Sequence, residues 1–98
     1  MIWRVRLHRL VLAEDLSVLT VLEQAAILKA VNRKLALDPV AYGKPLTGEY
    51  KGYWRLRVED HRVVYRIVKD QVMVLVVKIG VRKDDEVYRT LVGRLKKL

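Results

Sequence analysis

Polar and apolar residues alternate over residues 2–7, with Ile2, Arg4 and Arg6 on one side and Trp3, Val5 and Leu7 on the other. A period of two predicts a strand with one buried face. The spacing then lengthens. Leu12, Leu16 and Leu19, with Leu10, Val11 and Val18 beside them, predict a helix over residues 8–19. Thr20-Val-Leu-Glu23 has the spacing of a capping box, which starts a second helix running to about residue 37. Its apolar stripe reads Val21, Ala25, Leu28 and Leu35, with Leu22, Ala26 and Val31 alongside, while Glu23, Lys29, Arg33 and Lys34 fall mostly elsewhere. The two helices are expected to form an amphipathic lid over a sheet.

Asp38-Pro39 ends that helix, because the residue before a proline avoids the α region, and a loop is expected over residues 38–48. Three strands follow, over residues 50–58, 61–68 and 72–79, joined by Glu59-Asp60 and Lys69-Asp70-Gln71. Joins this short predict consecutive hairpins. In the first of these strands Lys51, Tyr53, Arg55 and Arg57 share one face, and Trp54, Leu56 and Val58 the other. In the next, Arg62 and Arg66 oppose Val63, Tyr65 and Ile67. The last strand is apolar on both faces until Lys78, as a strand with neighbours on each edge and packing on each face must be. Gly80 ends it, and Asp84 or Asp85 can cap a final helix through Leu98. The expected fold is a single α+β domain over residues 1–98, β-α-α-β-β-β-α, with an antiparallel sheet core, a helical pair on one face and a C-terminal helix.

Composition narrows the class. With 98 residues, 52% hydrophobic and 32% charged, five Gly and two Pro, the chain suits one globular domain and is neither disordered nor collagenous. The net charge of +9 points to a polyanionic partner. Residues 1–50 carry seven basic and five acidic side chains, 7 − 5 = +2, and residues 51–98 carry thirteen and six, 13 − 6 = +7, so the second half is where a binding surface is expected. There is no cysteine, which removes disulfides and thiolate chemistry and fits a reducing cytoplasm. Two histidines make no metal cage, and neither a metal nor another cofactor is expected. The longest apolar run, Val72 to Val77, is far short of the roughly 20 residues that span a bilayer, so no membrane helix or signal peptide is expected.

A sheet face bearing Lys51, Tyr53, Arg55, Arg57, Arg62 and Arg66 can bind phosphates, since guanidinium forks match phosphate oxygens and aromatic rings stack on bases. The same pattern also serves as the solvated side of an antiparallel sheet. Arg82 and Lys83 follow the last strand, with Tyr88 about two turns into the final helix. They read either as a basic and phenolic cluster at a phosphodiester or as a charged loop and an anchoring tyrosine. His61, at a hairpin end on the Val63/Tyr65 side, reads as structural, and so does His8 at a strand-to-helix junction. Glu59-Asp60 suits a turn, and Asp84-Asp85-Glu86 suits a helix N-terminus. No nucleotide-loop, dinucleotide, zinc-protease or serine-hydrolase motif is present.

Pro45-Leu-Thr-Gly48, Tyr53-Trp-Arg-Leu-Arg57, Arg62-Val-Val-Tyr-Arg66 and Gly80-Val-Arg82 with Glu86-Val-Tyr88 come in the order and spacing of the RelE/ParE toxin superfamily, which the chain resembles from end to end in its elements. The resemblance implies a toxin of a type II toxin–antitoxin system. RelE-like members cut mRNA in the ribosomal A site; ParE-like members share the fold and inhibit DNA gyrase. Arg62, Arg82 and Tyr88 match the RelE-type catalytic positions, which favours a metal-independent endoribonuclease. At two positions where RelE has lysines this chain has Tyr53 and Arg55. By resemblance Arg62 and Arg55 would stabilise the phosphorane, Arg82 would lie at the leaving oxygen, and Tyr88 would stack on a base or activate the 2′-hydroxyl. Lys51, Tyr53, Arg57, Arg66 and Lys83 would bind RNA. Arginine stays protonated at neutral pH and is a poor base, so that role falls to Tyr88, Lys51 or His61, or cutting is slow and leans on the ribosome. The alternatives are a gyrase inhibitor and a catalytically weak toxin acting as an antitoxin-bound co-repressor. In each reading the partners implied are a RelB-like antitoxin, the ribosome and mRNA, and operator DNA only through the antitoxin complex. Arg94, Lys96 and Lys97 are expected to be peripheral contacts.

Overall fold

A computed structural model describes residues 2–81 together with Leu91, Gly93 and Arg94. The strands are β1 (Arg4–Leu7), β2 (Lys44–Pro45), β3 (Tyr53–Val58), β4 (His61–Val68) and β5 (Met73–Val81). They form one sheet in the order β1-β5-β4-β3-β2. The helical segments are α1 (Val11–Asp15), a single π-helical turn; α2 (Val21–Ala30), carried on by a π-helical turn over Val31–Leu35; and α3 (Pro39–Tyr42).

Several expectations about the sheet need correcting: Gly80, expected to end the last strand, lies inside β5, which runs to Val81, and the strand expected from residue 50 begins at Tyr53. The sheet is mixed, because β1 runs parallel to β5 while the β2–β3, β3–β4 and β4–β5 pairs are antiparallel. Alternation along β1 decides which side chains face the core and carries no information about strand direction. The loop expected over residues 38–48 also contains both α3 and β2. Asp38 caps α3 by accepting the Ala41 N–H at 3.0 Å, with Pro39 in the first turn, so the dipeptide that stops one helix starts another. The C-terminal helix proposed through Leu98 lies outside the described residues, apart from Leu91, Gly93 and Arg94, whose backbone is helical.

The capping box forms as read, with Glu23 N–H to Thr20 Oγ1 at 3.1 Å and Thr20 N–H to Glu23 Oε1 at 3.0 Å. The Thr20 backbone bond holds the Glu23 carboxyl below its ordinary pKa. The buried stripe of α2 is displaced from the expected one. Ile27, Val31 and Leu35 are buried, whereas Val21 and Leu22 stand about 80% exposed beside Val18. The helix is apolar nearly all round, so its pattern does not select a face. Gln24 does, because its Nε2 turns inward to donate to the Leu16 and Leu19 carbonyls at 2.8 and 3.1 Å.

The main core lies between the helices and one side of the sheet, where Leu56, Val58, Val63, Tyr65, Val74, Val76 and Ile79 meet Val11, Leu16, Ile27, Val31 and Leu35. Tyr65, fully buried, donates its hydroxyl proton to the Pro39 carbonyl and ties α3 to the sheet. Burial pushes its phenol well above the ordinary range, so it holds its proton at neutral pH. Gly43 makes room for it, since a Cβ there would lie 1.7 Å from the Tyr65 hydroxyl oxygen. Gly43→Ala is therefore expected to destabilise the fold by about 1–3 kcal/mol through overpacking. A thermal melt reads this directly, and an unchanged midpoint would contradict the packing described.

Candidate functional site

The side of the sheet away from the helices collects the arginines, and the strand register states which are neighbours. Arg57 stands opposite Arg62, which on its other side faces Gly80. Arg55 stands opposite Val64 on β4 and Lys44 on β2. Tyr53 stands opposite Arg66, which faces Leu75 and, beyond it, Arg6. Directly opposed side chains have Cβ atoms about 4.5–5.5 Å apart and diagonal ones sit within roughly 7–8 Å, so Arg55, Arg57 and Arg62 form one cluster. Gly80 adds no side chain beside Arg62. Arg66 lies four residues along β4, roughly 13 Å away at about 3.3 Å per residue, so it belongs to a separate part of the face.

This face is not the open basic surface that alternation predicts. Its centre is a second apolar cluster in which Val64, Val77 and Leu91 are buried, with Leu46, Tyr50, Tyr53 and Leu75 partly buried around them. The cations therefore form a rim around a covered centre. Tyr53 is half-buried in that cluster, so its ring is committed to packing. Lys51 is off the strand altogether. It sits exposed in the turn between the 3₁₀ segment Gly48–Tyr50 and β3, where Gly52 has φ +100°, a left-handed conformation that ends the alternation.

Lys44 is the residue that sequence reading missed. Because β2 pairs with β3, Lys44 lies on the same face directly beside Arg55 and brings a lysine to the cluster that Lys51 was expected to supply. Its signal was Pro45, since proline in a strand is tolerated at a sheet edge. His61 is buried on the opposite side of the sheet, facing the helices, with Nε2 3.7 Å from Glu23 Oε2. That placement removes it from the list of bases for chemistry on the arginine face. His8 keeps a structural role, its Nδ1 accepting the Leu10 N–H at 3.1 Å, and burial together with Arg9 and Arg94 pulls its pKa below the ordinary value.

Arg82, Lys83 and Tyr88 lie outside the described residues. Their sequence position is still informative at one end, because Arg82 directly follows Val81, the last residue of β5, whose neighbour Gly80 pairs with Arg62. Positive charge also continues round the edge of β3. A groove of about 540 Å³ is lined by Lys29, Arg33 and Lys34 of the α2 helix with its π-helical extension, by Arg57, and by Tyr42 and Glu59. The chain's first half thus contributes to the basic surface, contrary to the expectation from charge counts alone.

A family model described as the ParE toxin of the type II toxin–antitoxin system, parDE, matches residues 18–86. The chain belongs to the RelE/ParE toxin superfamily. It is therefore a type II toxin by family. It is 38% identical to Toxin YoeB of Streptomyces coelicolor over 50% of this chain and 67% of that protein. In structure it resembles the toxin–antitoxin complex RelBE2 from Mycobacterium tuberculosis, with TM-score 0.79 and 27% identity, covering 86% of this toxin and 95% of that chain. The isolated E. coli RelE toxin shares the fold at TM-score 0.67 and 18% identity, covering 95% and 98% of the two chains. Among the described residues of the toxin, no helix is long and apolar enough to cross a membrane, and no group of three His, Asp or Glu side chains is placed to hold a metal ion.

Proposed function

We propose that this toxin is a ribosome-dependent endoribonuclease that cuts mRNA in the A site. The observation that carries the reading is the cluster of Arg55, Arg57 and Arg62 at the end of the sheet where β5 leads into Arg82. In the reaction the 2′-oxygen bonds to the adjacent phosphorus, its proton passes to a base, and the bond to the 5′-oxygen breaks as that oxygen gains a proton. Negative charge builds on the phosphorane oxygens in between, and preorganised donors there lower the barrier. Arg62 and Arg55 take that role, Arg82 stands at the leaving oxygen, and Tyr88 stacks on a base or activates the 2′-hydroxyl. Lys44 joins Arg57, Arg66 and Lys83 in holding the RNA backbone, and the groove beside Arg57 extends the basic track. The toxin is neutralised by a RelB-like antitoxin, acts in the cytoplasm, and meets operator DNA only through that complex. Mapping mRNA 5′ ends after expression tests the reading, with cuts inside translated codons expected for wild type and absent for Arg82→Ala. Identical cut maps for the two proteins would sink it.

A second reading has its own support. The matching family model is a ParE one, and Tyr53 and Arg55 stand where the RelE resemblance has lysines. A gyrase inhibitor of this fold would block supercoiling and leave translated mRNA whole.

The lysine substitution gives a sharper prediction for the nuclease reading. Lysine at position 55 would be flanked by Lys44, Arg57 and Arg62, and neighbouring positive charge lowers a lysine pKa toward the working range of a general base. Arg55→Lys is expected to raise single-turnover cleavage at pH 8 by about tenfold or more. A rate equal to wild type would show that position 55 acts only through its charge, and a lower rate that it acts through the guanidinium fork; either overturns the expected base.

A further inference from the structure

β1 pairs with β5 only as far as Leu7 and Val76, yet β5 continues to Val81. Beyond that point two side chains take the peptide groups. Asp15 Oδ2 accepts the Ile79 N–H at 2.9 Å, and Arg94 Nη1 donates to the Val77 carbonyl at 2.9 Å. The two are joined by a fork, Nη1 to Oδ2 at 2.7 Å and Nη2 to Oδ1 at 3.0 Å, and Lys78 Nζ donates to Oδ1 at 2.9 Å. Both carboxylate oxygens are thus doubly occupied. The Asp15 and Arg94 side chains are only 2% and 6% exposed, and Lys78 14%. Arg94, expected from sequence to be a peripheral contact, is instead buried. Val77 is the extra residue of a bulge, where the register steps from Val64 opposite Lys78 to Tyr65 opposite Val76.

Three residues before Arg94, Leu91 is fully buried on Val64 and Val77. The chain is therefore pinned at residues 77–79 and again at residues 91–94, on either side of the stretch that carries Arg82, Lys83 and Tyr88. A buried ion pair adds little net stability over apolar side chains of equal volume, but a guanidinium fork fits a carboxylate in one orientation, so what it contributes is geometry.

We propose that Asp15 is a positioning residue: through Arg94, Lys78 and the Ile79 amide its carboxylate clamps residues 77–79 of β5 to Arg94, and RNA cleavage depends on that clamp. The catalytic half of this inference rests on the nuclease reading; the anchoring half does not. Both are tested by comparing wild type, Asp15→Asn, the milder Arg94→Lys, and Ile27→Val, a core control that leaves the clasp intact. In limited trypsinolysis, cleavage after Arg82, Lys83 and Arg89 is expected to be several-fold faster in Asp15→Asn than in Ile27→Val, with Arg94→Lys between them. In ribosome-programmed cleavage, kcat is expected to fall by about tenfold or more in Asp15→Asn, with KM unchanged and partial retention in Arg94→Lys. Tryptic rates equal to those of the core control overturn the anchoring. Faster trypsinolysis with unchanged kcat overturns the positioning role, and an inactive wild type overturns the nuclease reading on which that role rests while the tryptic comparison still decides the anchoring.

Discussion

Arg62→Ala is expected to lower kcat for ribosome-programmed mRNA cleavage by about 100- to 1,000-fold, the usual cost of removing one preorganised donor from the charge that develops in a transition state. Arg62 is the member of the cluster best placed for that role, since it stands opposite Arg57, diagonal to Arg55 and beside the side-chain-free Gly80. The loss should appear in kcat with a smaller change in KM, because a donor aimed at the phosphorane contributes little to ground-state binding. Arg66→Ala is the matched comparison. It removes the same charge from the same strand, roughly 13 Å away at about 3.3 Å per residue, and should weaken binding while leaving kcat within about threefold. Equal kcat losses in the two variants would mean that the face acts by bulk charge and that Arg62 has no special position. A melt of each variant accompanies the kinetics, so that a folding defect is not read as a catalytic one.

The largest effect on stability is expected at Arg94. Arg94→Met leaves the Asp15 carboxylate buried with half its hydrogen bonds gone, and breaking a buried pair from one side typically costs about 3–5 kcal/mol. For a domain of this size each kcal/mol shifts the midpoint by about 4–8 °C, so a drop of about 12 °C or more should be seen in thermal unfolding. Adding Asp15→Leu should recover part of it, because no carboxylate is then stranded. A single variant that melts like wild type would contradict the stabilising role given to the Asp15–Arg94 pair.

These two residues also mark what is legible in the sequence. The face that Arg62 occupies was legible there, because strand alternation states which side chains share a face, and β4 forms over the very residues, His61–Val68, that the pattern predicts. The same rule gave the Tyr53, Arg55 and Arg57 face, and the Thr20–Glu23 spacing gave the start of α2. Asp15 and Arg94 were not legible as a pair. An acid in a short helix and a base near the C-terminus look like solvated charges until the topology sets both beside the bulge in β5. Lys44 was missed for a related reason, since a two-residue strand has too little pattern to register and owes its place to pairing with β3. The apolar centre of the arginine face needed Leu91 to be seen, although Val64, sitting between Arg62 and Arg66, was its one local sign. The direction of β1 and the buried side of α2 depend on long-range pairing and on the single inward-turned Gln24, neither of which periodicity records.

Cutting of mRNA on the ribosome is the activity proposed for this toxin. The most direct measurement combines purified toxin with ribosomes carrying a defined mRNA codon in an empty A site, alongside the same mRNA free in solution and a copy lacking the 2′-hydroxyl at the reacting nucleotide. Cleavage inside the A-site codon of the ribosome-bound RNA, with both other RNAs intact, is the predicted result. Intact ribosome-bound mRNA, together with inhibition of gyrase supercoiling by the same preparation, would contradict it.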